Sequence, residues 1–254
     1  MDKINKLKEM ISDSSRIVFF GGAGVSTESG IPDFRSKDGL YNQAYKYPPE
    51  YMLSRSCFEK MPDEFYRFYQ DKILLKGIKP NKGHYALAKL EEQGKLCCVI
   101  TQNIDHLHEM AGSKEVYHLH GTIMTNHCEQ CGKEYSLEQL EALLTNHAVP
   151  LCEDCHSIIH PDVTLYEESL PDMAWNMSMA AVRSADMLII AGTSLTVYPA
   201  AYIVEYFKGK HLVIINRDAT PRDSKADLVI HDSFGEVMAQ VVETACCNSK
   251  SIGK

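Results

Sequence analysis

The sequence contains no run of lysines or arginines, and its formal net charge is −8 at pH 7. Proteins whose main task is to hold a nucleic acid cluster cations against the phosphate backbone. The sequence therefore predicts no direct binding of nucleic acid. An acidic surface suits basic partners, although it serves solubility equally well.

Long apolar stretches are also missing, since no segment approaches the roughly 18 apolar residues that span a bilayer. The first residues, MDKINKLKEMI, are charged throughout and lack the apolar core and cleavage site of a signal peptide. We therefore expect a soluble, cytoplasmic protein without a membrane partner. Hydrophobic residues make up 44% and charged residues 24% of the chain, which is typical of a globular fold.

The chain has nine cysteines, which in a long sequence without a leader indicate metal ligands more than disulfides. Four of them form the pattern C-x2-C-x20-C-x2-C, at Cys128, Cys131, Cys152 and Cys155. Two tight turns of this kind present four thiolates to a tetrahedral zinc ion. A complete thiolate shell leaves no position for water, so we expect a structural zinc without a chemical role. His127 and His156 adjoin this closed set and are surplus to it.

Five short apolar runs recur along the chain, at residues 16–20, 96–100, 186–192, 211–216 and 226–231. They do not alternate with polar residues, which is typical of strands buried on both faces of a parallel sheet. Helical patterns lie between and after them, for example at 84–94 and 234–245. This alternation predicts an α/β fold with a doubly wound, Rossmann-like parallel sheet.

Two segments interrupt the alternation, one with Tyr and Phe at helical spacing and one with the cysteine pairs. We interpret them as insertions. The predicted organisation is a discontinuous Rossmann-like domain at 1–36, 81–120 and 171–245, a helical module at 37–80, a zinc-binding module at 121–170 and a tail at 246–254.

A glycine-rich loop, GGAGVSTESGIPDFRS at 21–36, follows the first predicted strand. Such a turn between a strand and a helix lets backbone amides approach a pyrophosphate, and Gly21, Gly22 and Gly24 suit this task. However, Thr27 replaces the third glycine of G-x-G-x-x-G. By itself the loop leaves a tight structural turn as an equal alternative.

Polar residues follow other predicted strands, and the carboxyl ends of parallel strands meet at one edge of a sheet. We expect them to form one ligand site. They are Gln102, Asn103 and Asp105 after the second run, His120 after EVYHLHG, Gly192, Thr193 and Ser194 after the third run, and Asn216, Arg217 and Asp218 after the fourth.

The segments GAGVSTESGIPDFRS, TQNID, the pair His120 and Gly121, the two CxxC units, GTSLTVYPA and INRD occur in this order. In this the chain resembles a bacterial sirtuin, an NAD-dependent protein lysine deacetylase, from about residue 16 to about residue 240. The resemblance implies an enzyme that acts on acyl-lysine proteins or peptides. Its products would be nicotinamide, the deacylated lysine and O-acetyl-ADP-ribose.

The resemblance also implies residue roles. His120 would be the base that takes a proton from a ribose hydroxyl, while Asn103 and Asp105 would orient the nicotinamide ribose and carboxamide. Phe34 would shield the reactive centre from water and Arg35 would pair with phosphate oxygens. His106, His108 and His118 are interpreted as structural. The full set of implied NAD contacts is Gly22, Ala23, Gly24, Phe34, Arg35, Gln102, Asn103, Ile104, Asp105, Gly192, Thr193, Ser194, Asn216, Arg217 and Asp218.

For the substrate, the resemblance implies contacts from Val163, Leu165 and Tyr166 in the stretch VTLYEESLP. Many sirtuins have Phe-Gly-Glu here, and this chain has Tyr166 and Glu167 in place of Phe and Gly. His106 likewise takes a position that is often glycine. The change at Tyr166 and Glu167 leaves the preference for peptide sequence open, and the effect of His106 is open as well.

Sirtuins that prefer negatively charged acyl groups carry Tyr-x-x-Arg on a helix, and the matching pair here is Tyr66 and Tyr69. We expect Arg67 and Lys72 on other faces of that helix, away from the acyl group. A buried carboxylate without a cation is costly. The resemblance thus implies removal of neutral acyl groups, acetyl first.

Three alternatives remain at this point. A zinc-ribbon module that binds nucleic acid would conflict with the net charge, and a dehydrogenase would conflict with the missing third glycine. Protein ADP-ribosylation, in which another nucleophile captures the same ribose, differs from deacylation only in its product.

Overall fold

The computed structural model describes residues 2–33, 39 and 45–248, with side chains as far as residue 242. Its strands are β1 (Ile17–Gly21), β2 (Leu96–Thr101), β3 (Val116–His118), β4 (Gly121–Cys128), β5 (Glu134–Ser136), β6 (Ile159–Val163), β7 (Met187–Ala191), β8 (His211–Ile215) and β9 (Leu228–Ile230). Its α-helices are α1 (Lys3–Asp13), α2 (Pro49–Met52), α3 (Arg55–Lys60), α4 (Pro62–Phe68), α5 (Lys82–Glu92), α6 (Leu107–Met110), α7 (Leu137–Asn146), α8 (Asp172–Ser184) and α9 (Phe234–Asn248).

Six strands form one sheet in the order β3-β2-β1-β7-β8-β9, and every neighbouring pair is parallel. The predicted doubly wound sheet is confirmed. Its order reverses direction between β1 and β7, and such a switch point is where open α/β sheets bind ligands. The five apolar runs predicted five of these strands, and the sixth, β3, lies in the short apolar segment EVYHLHG.

Both faces of the sheet are covered, which explains why its strands are apolar throughout. On one face, Ile17 and Phe19 of β1 pack in a cluster with residues of α1, α5 and α9. On the other face, Val18 and Phe20 pack with α8 and the 3₁₀ segment Ala200–Tyr206. Burial of alternate side chains on opposite faces requires apolar residues at every position.

A smaller antiparallel sheet, in the order β5-β4-β6, carries the cysteine pairs. Residues of α2, α3, α4 and α7 join Cys128 and Cys152 in a third apolar cluster. The helical and zinc segments therefore share a core beside the parallel sheet. The exact domain boundaries stay a prediction. Within the described residues, no helix is long and apolar enough to cross a membrane.

Candidate active site

A cavity of about 770 Å³ lies at the carboxyl ends of the parallel strands, beside the small sheet. It is lined from the loops after β1, β2, β6, β7 and β8. Most of the site residues predicted from the sequence line it: Gly22, Ala23, Gly24, Tyr69, Gln102, Asn103, Ile104, Asp105, His120, Val163, Leu165, Tyr166, Gly192, Thr193, Ser194, Asn216, Arg217 and Asp218.

The floor of the cavity is a backbone contact between two glycine turns. The Gly22 amide donates to the Ala191 carbonyl at 3.1 Å, and the Gly24 amide donates to the Gly192 carbonyl at 2.8 Å. A Cβ atom added to Gly24 would lie 2.7 Å from the Gly192 Cα, and Gly192 has φ +60°. The two turns can approach this closely only because Gly24 and Gly192 have no side chain at the point of contact. This bare floor at the switch point fits the diphosphate of a dinucleotide.

Ser26 connects the two polar residues that follow β2. Its hydroxyl donates to Asp105 Oδ2 at 2.6 Å and accepts from Asn103 Nδ2 at 3.0 Å. The other oxygen of Asp105 accepts from the Leu107 amide at 3.1 Å. The Asn103 amide and the Asp105 carboxylate are thus held in fixed orientations beside the cavity.

Sequence analysis missed Ser26, although it stands inside the glycine-rich motif. Its partners lie 77 and 79 residues away in the chain, so no local pattern connects them. The only available signal was a hydroxyl two residues after Gly24.

Among the described residues, the His120 ring makes one hydrogen bond, in which Nδ1 lies 2.9 Å from the Gln102 carbonyl oxygen. A carbonyl can only accept, so Nδ1 carries the proton and Nε2 is left as the basic nitrogen. Burial lowers the pKa of His120, and the bond to the Gln102 carbonyl opposes this effect. A neutral imidazole at pH 7 is the state that a general base requires.

The loops after β7 and β8 are held by side-chain bonds. Gln102 Nε2 donates to Thr193 Oγ1 at 3.1 Å, which connects the loops after β2 and β7. Asn216 Nδ2 donates to the Asp218 carbonyl at 2.8 Å, and Arg217 Nη2 donates to Ser233 Oγ at 3.0 Å. Gln102, Thr193, Asn216 and Arg217 are all among the residues that line the cavity.

Apart from the four cysteines, one described residue of the predicted site, Tyr66, is not among those that line the cavity. Phe34 and Arg35 lie outside the described residues. Tyr66 is fully buried, and its hydroxyl donates to the Ile159 carbonyl. Its predicted substrate contact stays a prediction.

Lys72 lines the cavity together with Tyr69, whereas the expectation that it lies away from the acyl group stays a prediction. That expectation assumed a regular α-helix. Residues Tyr69–Ile73 form a π-helical turn, and this wider turn rotates the residues that follow it. The ammonium group lies 3.0 Å from Asp71 Oδ2, so it is already paired.

The neighbouring histidines have partners of their own. His118 Nε2 lies 2.5 Å from Glu109 Oε1, and His106 Nδ1 lies 3.4 Å from Glu109 Oε2. His108 is buried against the ring of His84. Of the four histidines named here, His106 lines the cavity and the other three do not. Their structural role stays a prediction.

The four paired cysteines form one cluster, whose sulfur atoms all lie within 4.8 Å of one another. The Sγ atoms of Cys128 and Cys155 are 3.3 Å apart, and those of Cys131 and Cys152 are 3.6 Å apart. A disulfide has sulfurs about 2.05 Å apart, so these are four separate thiols, suited to a tetrahedral zinc ion. Tyr135 donates its hydroxyl to Cys152 Sγ at 3.2 Å, as partners of metal ligands commonly do.

Comparisons with known proteins agree with this geometry. The profile of the Sir2 family matches residues 22–199. The NAD-dependent protein deacetylase of Clostridium acetobutylicum is 53% identical over 244 residues, which cover 95% of this chain and 99% of that protein. The protein of the same name from Clostridium perfringens is 54% identical over 245 residues, with the same coverage.

Solved structures are similar over nearly the whole chain. A structure described as Sir2 bound to acetylated peptide has a TM-score of 0.87 and 37% identity, covering 97% of this chain and 99% of that chain. A structure of Sir2Tm bound to a propionylated peptide has a TM-score of 0.86 and 38% identity, covering 96% and 99%.

Proposed function

The chain belongs to the Sir2 family and is an NAD-dependent protein deacetylase, and we propose how the residues of its cavity divide the work. The main support for this proposal is the position of His120. Its free Nε2 belongs to the same cavity as the glycine floor and the Ser26, Asn103 and Asp105 group. A base and a dinucleotide site therefore share one space.

When bound, NAD would supply a ribose whose bond to nicotinamide breaks as the acyl oxygen of the lysine bonds to the same carbon. That ribose would then take the acetyl group, and one water molecule would be consumed as the free lysine is released. Gly22, Ala23 and Gly24 would hold the NAD diphosphate with Gly192, since the three glycines leave the backbone of this floor open to close approach. Asn216, Arg217 and Asp218 would contact the adenosine end, where the cavity wall is polar. Phe34 and Arg35 would also contact NAD, and this rests only on their place in the glycine-rich motif at 21–36.

His120 would accept a proton from a ribose hydroxyl at Nε2. The Gln102 carbonyl, which accepts from Nδ1, fixes the ring and stabilises the imidazolium that results, because a charged donor makes a stronger hydrogen bond. Later return of this proton restores the neutral base.

Asn103 and Asp105 would orient the nicotinamide ribose and carboxamide. Each Asp105 oxygen already accepts one hydrogen bond, from Ser26 and from the Leu107 amide. The carboxylate therefore cannot rotate freely, and its remaining lone pairs have set directions. Ser26 acts here as a positioning residue.

The acyl-lysine would enter along Val163, Leu165 and Tyr166. Val163 and Leu165 are buried and apolar, so they suit the aliphatic part of the acyl-lysine side chain. Tyr166 is exposed, so it suits the backbone of the substrate peptide. The Thr164 amide donates to the His120 carbonyl at 2.8 Å, so this segment of the cavity lining lies beside the base.

Four thiolates persist in a reducing compartment, which favours the cytoplasm. With a net charge of −8, we propose no direct binding of nucleic acid.

The test is mass analysis of the products from NAD and an acetyl-lysine peptide. We expect nicotinamide, free lysine and O-acetyl-ADP-ribose in equal amounts. Transfer of ADP-ribose to protein would instead support the ADP-ribosylation alternative, and absorbance of reduced nicotinamide would support a dehydrogenase.

His120→Ala should keep NAD binding and lose roughly 10²-fold or more in turnover, because a general base contributes about that much. His147→Ala, at an exposed histidine after α7, is the matched control. Full activity of the His120 variant would refute the assignment.

A further inference from the structure

Arg55, the first residue of α3, connects three segments that are distant in the sequence. Its guanidinium forms a bidentate pair with Glu129, Nη1 to Oε1 at 3.0 Å and Nη2 to Oε2 at 2.6 Å. Nη1 also lies 3.6 Å from Glu168 Oε1, and Nε donates to Glu59 Oε1 at 2.7 Å. One side chain therefore joins the helical module, the zinc module and the segment after β6.

Glu129 belongs to the metal cluster's own turn, since it lies between Cys128 and Cys131. Its amide donates to the Ile158 carbonyl at 3.0 Å. A metal held by such a turn fixes the conformation of its backbone. The direction of the Glu129 carboxylate is thus set by the zinc-binding turn, and a planar fork such as Arg55 is sensitive to that direction.

The backbone around Arg55 holds the wall of the cavity, which we define as residues 164–168. The Arg55 amide donates to the Tyr166 carbonyl at 3.0 Å, and the Tyr166 amide donates to the Leu53 carbonyl at 2.9 Å. The Ser56 amide donates to Glu167 Oε2 at 2.9 Å. Glu167 has φ +79°, a conformation that a residue with a side chain rarely adopts. Contacts with α3 therefore maintain a shape that the wall would not keep alone.

The wall forms the mouth of the cavity beside the base. Tyr166 and Glu167 are exposed there, and both line the cavity. By contrast, the residues proposed for NAD lie after β1, β2, β7 and β8. In the described part of the chain, none of them makes a hydrogen bond or ion pair with Arg55.

We propose that Arg55 is a positioning residue that transmits the geometry of the zinc-binding turn, through Glu129, to the cavity wall at 164–168. Binding of the acyl-lysine peptide then depends on this pair, whereas binding of NAD does not. This inference rests on the proposed function, because it takes the wall as the peptide site.

Two variants test the pair from its two sides. Glu129→Gln removes the charge from the turn, and Arg55→Lys keeps the charge but removes the fork. In each, KM for an acetyl-lysine peptide should rise roughly 10-fold, as expected for loss of a charge-assisted bidentate pair. The Kd of NAD and kcat should stay within about 2-fold, and the zinc content should match the wild type. The double variant should be no worse than Arg55→Lys, because that variant already removes the bidentate pair with Glu129.

Glu59→Gln is the matched control. It removes a partner of the same guanidinium, but Glu59 lies within α3 and does not connect the modules. Its peptide KM should equal that of the wild type.

An unchanged peptide KM in zinc-loaded Arg55→Lys would overturn the inference. So would an equal rise in peptide KM and NAD Kd, which would indicate a general loss of structure. If the wild type itself produces no O-acetyl-ADP-ribose, the proposed function fails instead, and the two failures are thereby distinguished.

Discussion

Replacing Gly24 with alanine should disrupt the floor of the cavity. The added Cβ would lie 2.7 Å from the Gly192 Cα, 3.0 Å from its oxygen and 3.1 Å from its carbonyl carbon. All three are backbone atoms at the switch point between β1 and β7, so no side chain can rotate away. The two turns must separate, although the Gly24 amide and the Gly192 carbonyl are hydrogen-bonded at 2.8 Å.

Overpacking of this kind costs about 1–3 kcal/mol. We expect that loss in the free energy of unfolding, measured with urea. If the displaced floor holds the diphosphate, NAD affinity falls as well, by roughly 10-fold for each 1.4 kcal/mol. Calorimetric titration with NAD measures this second effect.

Gly94→Ala provides the control. A Cβ at Gly94 meets no atom within 4 Å, but its φ is +70°, so the variant pays only backbone strain of about 1–2 kcal/mol. It should lose stability and keep the wild-type Kd for NAD. If Gly24→Ala also keeps the wild-type Kd, the glycine floor does not hold the cofactor and the reasoning is refuted.

Three further predictions concern the base, the metal and the acyl group. Burial lowers the pKa of His120, so kcat/KM should be level near pH 7–8. It should fall only below pH 6.5, about the usual pKa of histidine, where the base becomes protonated. A pH profile that falls at or above 6.5 contradicts this. Metal analysis should find about one zinc ion per chain, and serine at any of Cys128, Cys131, Cys152 or Cys155 should release it and lower the melting temperature; a stable, active, zinc-free protein would exclude a structural zinc. The acetyl group should be removed from lysine with a kcat/KM roughly 10-fold or more above that for the succinyl group in the same peptide. The reason is that a carboxylate without its own cation is costly to bury. A preference for succinyl would indicate that Lys72 leaves Asp71 to bind the acyl carboxylate.

The sheet and the zinc ligands could be predicted because their signals are local. A strand buried on both faces must be apolar at consecutive positions, and the runs around Phe19 and Ile189 show this directly. A CxxC turn brings two thiolates together through its own backbone, so its ligands are visible in four consecutive residues. The residues after the strands converge because parallel strands end at one edge.

Other features depend on contacts between residues far apart in the sequence, and only the tertiary structure shows them. Ser26 is hydrogen-bonded to Asn103 and Asp105, and Lys72 lies in a π-helical turn that no spacing rule predicts.

The sequence by itself thus determined the fold class, the four-cysteine cluster and the family's motifs, since each rests on patterns among neighbouring residues. The close approach of Gly24 to Gly192 and the connection of Glu129 to the cavity wall through Arg55 were decided by tertiary packing. These two contacts form between segments that are far apart in the sequence. A pattern within one segment cannot specify its distance to another segment, so only the folded structure shows them.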